Sequence, residues 1–166
     1  MSLKEIFDLP YFHGRLTDEE AYNLCQEELT NTSKTHVYIW YLSEIDGELE
    51  GRVRGYRRDS EVPFVAFGTP TQHLSYQRNC TSLDAILCLS KELQCFNLLE
   101  RKNPHQLQEL ARIAILDSFV DYCCLKNLIQ RINELRLPAM EKEELKKLVR
   151  GFQLLLSSKI PNPNEL

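Results

Sequence analysis

The chain has 166 residues, 43% hydrophobic and 27% charged, enough to bury a core and of a length that fits one large domain or a domain of about 100 residues with an appendage. Lys and Arg total 20 against 24 Asp and Glu, and the net charge of -4 gives no general attraction to nucleic acid or to an anionic membrane. No apolar run approaches the ~18 residues that cross a bilayer, and the N-terminus lacks the apolar stretch of a signal peptide, so a soluble protein of the cytoplasm, with the nucleus also open, is expected.

In chain order, Thr17 and Glu20 form a Thr-x-x-Glu capping box, and the apolar spacing of Ala21, Leu24 and Cys25 predicts a helix from Thr17 to about Glu28. His36 to Ser43 is rich in β-branched and aromatic residues, Asp46-Gly47 supplies a turn, and Leu49 to Arg57 returns as a second strand, so a hairpin is predicted. Glu61 to Phe67 reads as a further short strand, ended by Gly68 and Pro70. Thr81 or Ser82 then caps a helical pattern from Leu83 to Leu93. The order implies an α+β fold, with a central antiparallel sheet flanked by two helices.

Two segments carry a family resemblance. Tyr11-Phe12-His13-Gly14-Arg15-Leu16-Thr17, leading into the capped helix, resembles the opening of a Src-homology-2 (SH2) domain, in which an aromatic-aromatic-His-Gly turn ends a short strand. Asn79 to Lys91 is similar to the helix that closes such domains. The resemblance implies a phosphotyrosine pocket, whose arginine belongs to a Phe-Leu-Val-Arg strand. Here that strand is Val37-Tyr38-Ile39-Trp40, with Trp40 at the arginine position, Asp18 where the first helix usually gives a basic residue, and Gly55 where a pocket histidine is usual.

Neither an indole nor a glycine replaces the charge and fork of a guanidinium, so phosphotyrosine binding at that place is not expected. Two readings of the degenerate pocket stand. Trp40 fills it as core, or Arg54, Arg57 and Arg58, with Arg52, form an alternative anion site on the neighbouring strand. Strand alternation lets at most about half of those four converge, so a solvated basic edge is the plainer expectation.

After residue 101 the pattern becomes all helical and reads as a separate segment, 102–166. Asn103-Pro104 predicts a helix start, followed by an apolar face of Leu107, Leu110, Ala111, Ala114 and Ile115. A second helix is predicted from Tyr122 to Ile132. After Pro138, the residues Leu145, Leu148, Val149, Phe152, Leu155 and Leu156 mark a third.

Leu107 to Ile115 resembles the Elongin C-binding box that opens a SOCS box, a pattern of leucine, a small residue one turn later and an aliphatic residue after that. The resemblance implies that Leu107 inserts into Elongin C, that Ala111 allows close approach, and that Leu110 and Ile115 complete the surface. Leu135-Arg136-Leu137-Pro138 shares its first leucine and last proline with the segment that selects a cullin scaffold. An SH2-like domain followed by a SOCS-box-like segment is the architecture of suppressor-of-cytokine-signalling proteins. It implies a non-enzymatic adaptor that holds an unidentified client and recruits Elongin C with Elongin B. The same leucines and alanines also suit a helix packed on its own domain, which leaves a signalling or structural module as the other reading.

No catalytic constellation is legible. Cys123-Cys124 lacks a histidine or acid at a telling position, the six cysteines form no CxxC pair, and no metal-ligand spacing, phosphate loop or other cofactor motif is present.

Overall fold

The computed structural model of the protein describes residues 3–67, 97–119 and 125–151. Its elements are α1 (Leu3–Phe7), β1 (Phe12–Arg15), α2 (Asp18–Asn31), β2 (His36–Ile45), β3 (Glu48–Arg57), β4 (Val65–Phe67), α3 (Leu107–Asp117), α4 (Leu125–Glu134) and α5 (Ala139–Gly151). The strands lie side by side in the order β1-β2-β3-β4, which is an α+β arrangement.

Thr17 caps α2 as its spacing requires, its hydroxyl accepting from Glu20 N at 3.0 Å. Asp18, Glu19 and Glu20 place negative charge in the first turn, where the helix dipole favours it. The hairpin closes at Asp46-Gly47, both at positive φ (52° and 79°), as a two-residue turn that follows the strand twist demands. The third predicted strand is shortened to Val65–Phe67, beyond Pro63, which has no N–H to give to a ladder.

An antiparallel sheet is expected from the sequence, yet the sheet is mixed. β1 runs parallel to β2, with Phe12 opposite Trp40 and Arg15 opposite Leu42, while β2–β3 and β3–β4 are antiparallel. The reason is connectivity, because α2 carries the chain back to the end from which β1 started, and a helical crossover makes its two strands parallel.

Alternation divides β2 between two cores. Val37, Ile39 and Tyr41 face α2 and pack with Ala21, Cys25 and Leu29. Burial there pushes the Cys25 thiol up to about 12, which keeps it protonated and inert. Trp40 and Leu42 face the other way, with Phe7, Phe12, Leu49 and Val53.

The helix predicted over 83–93 to cover that second face lies outside the described residues. Among the described residues the cover comes from α1 and from Ile113, Leu116, Leu128, Ile132, Leu145, Leu148 and Val149 of the three C-terminal helices. The chain changes pattern at residue 101. Its hydrophobic core does not.

The C-terminal helices depart from their predicted bounds. α3 begins at Leu107, after a Gln106 that makes no side-chain cap, and not at Asn103-Pro104. Residues 101–105 are instead pinned against the turn between α1 and β1, where Arg101 Nη1 donates to Phe7 O at 3.0 Å and Phe12 O at 2.9 Å. α4 extends two residues beyond Ile132; the stretch 120–124, with Cys123-Cys124, is outside the described residues, as are Phe152, Leu155 and Leu156. α5 buries Leu145, Leu148 and Val149 at the spacing its sequence shows.

Candidate functional site

The sequence directs attention to two places: the α2 face of the sheet, where an anion pocket is expected, and the outward face of α3. At the first, the side chains converging on the start of α2 are Asp18, Tyr41, Ser43, Arg52 and Arg54. The Tyr41 hydroxyl donates to Asp18 Oδ1 at 2.7 Å and the Ser43 hydroxyl to the same oxygen at 3.2 Å. Arg52 Nη1 donates to Asp18 Oδ2 at 2.8 Å, and Arg54 Nη2 lies 3.4 Å from that oxygen.

Burial by itself works against ionising Asp18. The Tyr41 hydroxyl, the Arg54 and Arg52 guanidiniums and the Ser43 hydroxyl outweigh it and hold the carboxyl below its usual range. Burial, and then the bond to Asp18, push the Tyr41 phenol up, so it stays a donor at neutral pH. The chain thus supplies its own anion to the two guanidiniums, and an incoming phosphate meets a carboxylate already seated between them.

The three residues of the degenerate pocket are not brought together. Trp40 points to the opposite face from Asp18, buried with its ring 4.8 Å from Phe12. Gly55 pairs with Tyr38 on Trp40's face, and a Cβ there would lie 2.9 Å from the Phe64 ring, so the position is held by close aromatic packing. Trp40 is core, though not the filling of the pocket beside α2; Tyr41, one residue on, stands there.

Nor do Arg54, Arg57 and Arg58 form one anion site. The Arg57 guanidinium sits 4.7 Å from the centre of the Phe64 ring, while Arg58 donates to Thr32 O and Lys34 O at 3.1 and 3.2 Å. Half of the four strand arginines do converge, Arg52 and Arg54, on Asp18. The sequence signal for Tyr41 and Ser43 is the alternation from Val37 onward, which places Trp40 in the other set.

The signature histidine is structural in its contacts. His13 Nε2 meets Leu99 O at 3.0 Å and His105 Nε2 meets Phe7 O at 2.8 Å. Gly14 passes beneath the His105 ring at a positive φ of 68°, where a Cβ would lie 3.0 Å from Nδ1. Burial first, and then the neighbouring Arg101 charge, lower the affinity of both rings for a proton, more than their carbonyl bonds raise it.

A ring whose folded pKa is depressed makes the unfolded state the better proton acceptor. Stability is therefore expected to be full above the unfolded histidine value of ~6.5 and to fall as pH drops below it. Urea midpoints at pH 7.5 and 5 measure this, since the depressed carboxyls Asp18, Glu141 and Glu144 titrate lower still. Equal midpoints would contradict it, and a His13→Gln, His105→Gln pair should flatten the dependence.

On α3 the buried side is Glu109, Ile113 and Leu116, and not the apolar face read from the sequence. Glu109 is drawn inward by two arginines, Arg15 Nε at 3.2 Å and Arg112 Nη1 at 3.1 Å, and Arg112 Nε reaches Glu141 on α5 at 3.0 Å. With 3.6 residues per turn, this turns Leu107, Ala111 and Ala114 almost directly outward. Leu107 is 82% exposed, Ala111 is exposed, and Leu110 and Ile115 are half-buried at the edges of the stripe. Leu135 and Leu137 pack against the core at the α4–α5 connection, and Pro138 is exposed, its carbonyl accepting from Lys142 N at 3.1 Å.

No family model, curated protein or solved structure matches the chain. Among the described residues no helix is long and apolar enough to cross a membrane, and no group of His, Cys, Asp or Glu is placed to hold a metal ion.

Proposed function

We propose that the chain is a non-enzymatic protein-interaction adaptor in which the outward stripe of α3 is a docking surface, and that the partner is Elongin C with Elongin B, as in a substrate receptor of a cullin-RING ubiquitin ligase. The observation that carries this reading is the exposure of Leu107. A helix fixed to its own domain by Ile113, Leu116 and an ion pair network leaves a leucine and two alanines in solvent, one turn apart. Burying such a leucine in a partner is worth roughly 1.5–3 kcal/mol. The resemblance of Leu107 to Ile115 to an Elongin C-binding box names the partner, and the SH2-like opening names the module that carries the client. Leu135, Leu137 and Pro138 stand as the cullin contact of this reading, with Pro138 the exposed member.

Leu107→Asp is expected to abolish co-purification with Elongins B and C while leaving the melting temperature within about a degree or two, since a surface change away from the core costs at most ~0.5 kcal/mol. Retained binding in that variant would rule the Elongin surface out.

The shared core favours a second reading, a signalling or structural module whose C-terminal helices complete the fold of the sheet domain. The two differ in one result: the module binds no Elongin even as the wild type.

A further inference from the structure

A cleft of about 580 Å³ opens between α2, the segment 99–106 and the inner edge of α3, and neither Asp18 nor the outward residues of α3 line it. Its size lies within the range of ligand-binding clefts. Leu16, Leu24 and Leu99 give it an apolar floor.

The charges on its walls are unevenly satisfied. Arg15 is paired with Glu109, Arg112 with Glu109 and Glu141, and Lys102 with Glu28 at 3.2 Å. Arg101 is spent on the carbonyls of Phe7 and Phe12. Glu20 and Glu27, both exposed on α2 on either side of Leu24, make no ion pair among the described residues. Arg101 keeps its positive charge, because carbonyls are neutral, but the exposed carboxylates of Glu20, Glu27 and Glu100 outnumber it, so a ligand meets a surplus of negative charge above an apolar floor.

We infer that this cleft binds an extended peptide segment of another protein, one that sets a basic side chain against Glu20 or Glu27 and an apolar one on Leu24. Electrostatic complementarity selects the sign of the charge, and the leucines reward the neighbouring apolar residue. The site does not depend on the Elongin reading of α3. It supplies a client-side surface in place of the phosphate pocket that Asp18 occupies.

The probe is a fluorescein-labelled octapeptide of alternating arginine and valine, capped at both ends, titrated against the full chain by anisotropy. A glutamate-valine peptide serves as control. Saturable binding of the arginine peptide alone is expected, weakened about tenfold by the Glu20→Gln, Glu27→Gln pair and by less than about twofold by Glu61→Gln, Glu134→Gln, which removes the same charge elsewhere. All four side chains are exposed, and glutamine is also a capping-box residue, so the loss of one first-turn charge from α2 is a small cost that a thermal melt of each variant verifies. Absence of saturable binding to the wild type, equal binding of the glutamate peptide, or equal loss in the two double variants would each overturn the inference. A fall in affinity with salt is also expected, and its absence counts against the charge argument.

Discussion

A chain truncated after Arg101 is expected not to fold. It loses Ile113, Leu116, Leu128, Ile132, Leu145, Leu148 and Val149 from the core on the second face of the sheet. At about 1.5–3 kcal/mol for each buried aliphatic side chain, the lost burial is on the order of 10–20 kcal/mol, which matches or exceeds the entire stability of a typical domain. The truncation also bares Trp40, Leu42, Leu49 and Val53, a contiguous apolar surface that favours aggregation. Expression of 1–101, followed by circular dichroism and thermal melting, decides the matter. A soluble fragment with a cooperative transition would show that the sheet domain stands alone and that the helices beyond it are an appendage.

The second large effect is expected from Trp40→Arg, which sets at this position the arginine that the sequence resemblance to an SH2 domain would call for. Trp40 is 4% exposed and packed against Phe12. Removing a buried indole costs about 3–5 kcal/mol, and an unpaired guanidinium in the same place adds a desolvation cost of several more. The variant should therefore be largely unfolded and gain no affinity for phosphotyrosine peptide. Tyr41→Phe, on the α2 face, should cost only about 1–3 kcal/mol, for the hydrogen bond to the Asp18 carboxylate. Urea titration of the two variants compares them directly. A stable Trp40→Arg protein that takes up phosphopeptide would show that the arginine reaches the α2 side, against the placement of Trp40 on the opposite face.

Together these results separate roles that the sequence places close together. Trp40 and Tyr41 are neighbours, yet one belongs to the core shared with the C-terminal helices and the other to the Asp18 cluster. Leu107 and Ile113 lie on one helix, yet only the first is available to a partner.

The sequence by itself determined the elements whose causes are local. The Thr17 cap, the Asp46-Gly47 turn, the β-branched and aromatic run of β2 and the stripe Leu145, Leu148, Val149 each lie within a few residues of what forms them, and each is found where the pattern puts it. What only the tertiary structure decided depends on contacts between distant segments. Arg101 and His105 hold the α1–β1 turn from some ninety residues away, which delays α3 past Asn103-Pro104. Arg15, from β1, draws Glu109 inward and so turns Leu107 out. The parallel pairing of β1 and the closure of Asp18 by Arg52 and Arg54 are of the same kind. Hydrophobic periodicity names an apolar face, but when a helix carries apolar residues on both sides, the charged partner on another element chooses which side is buried.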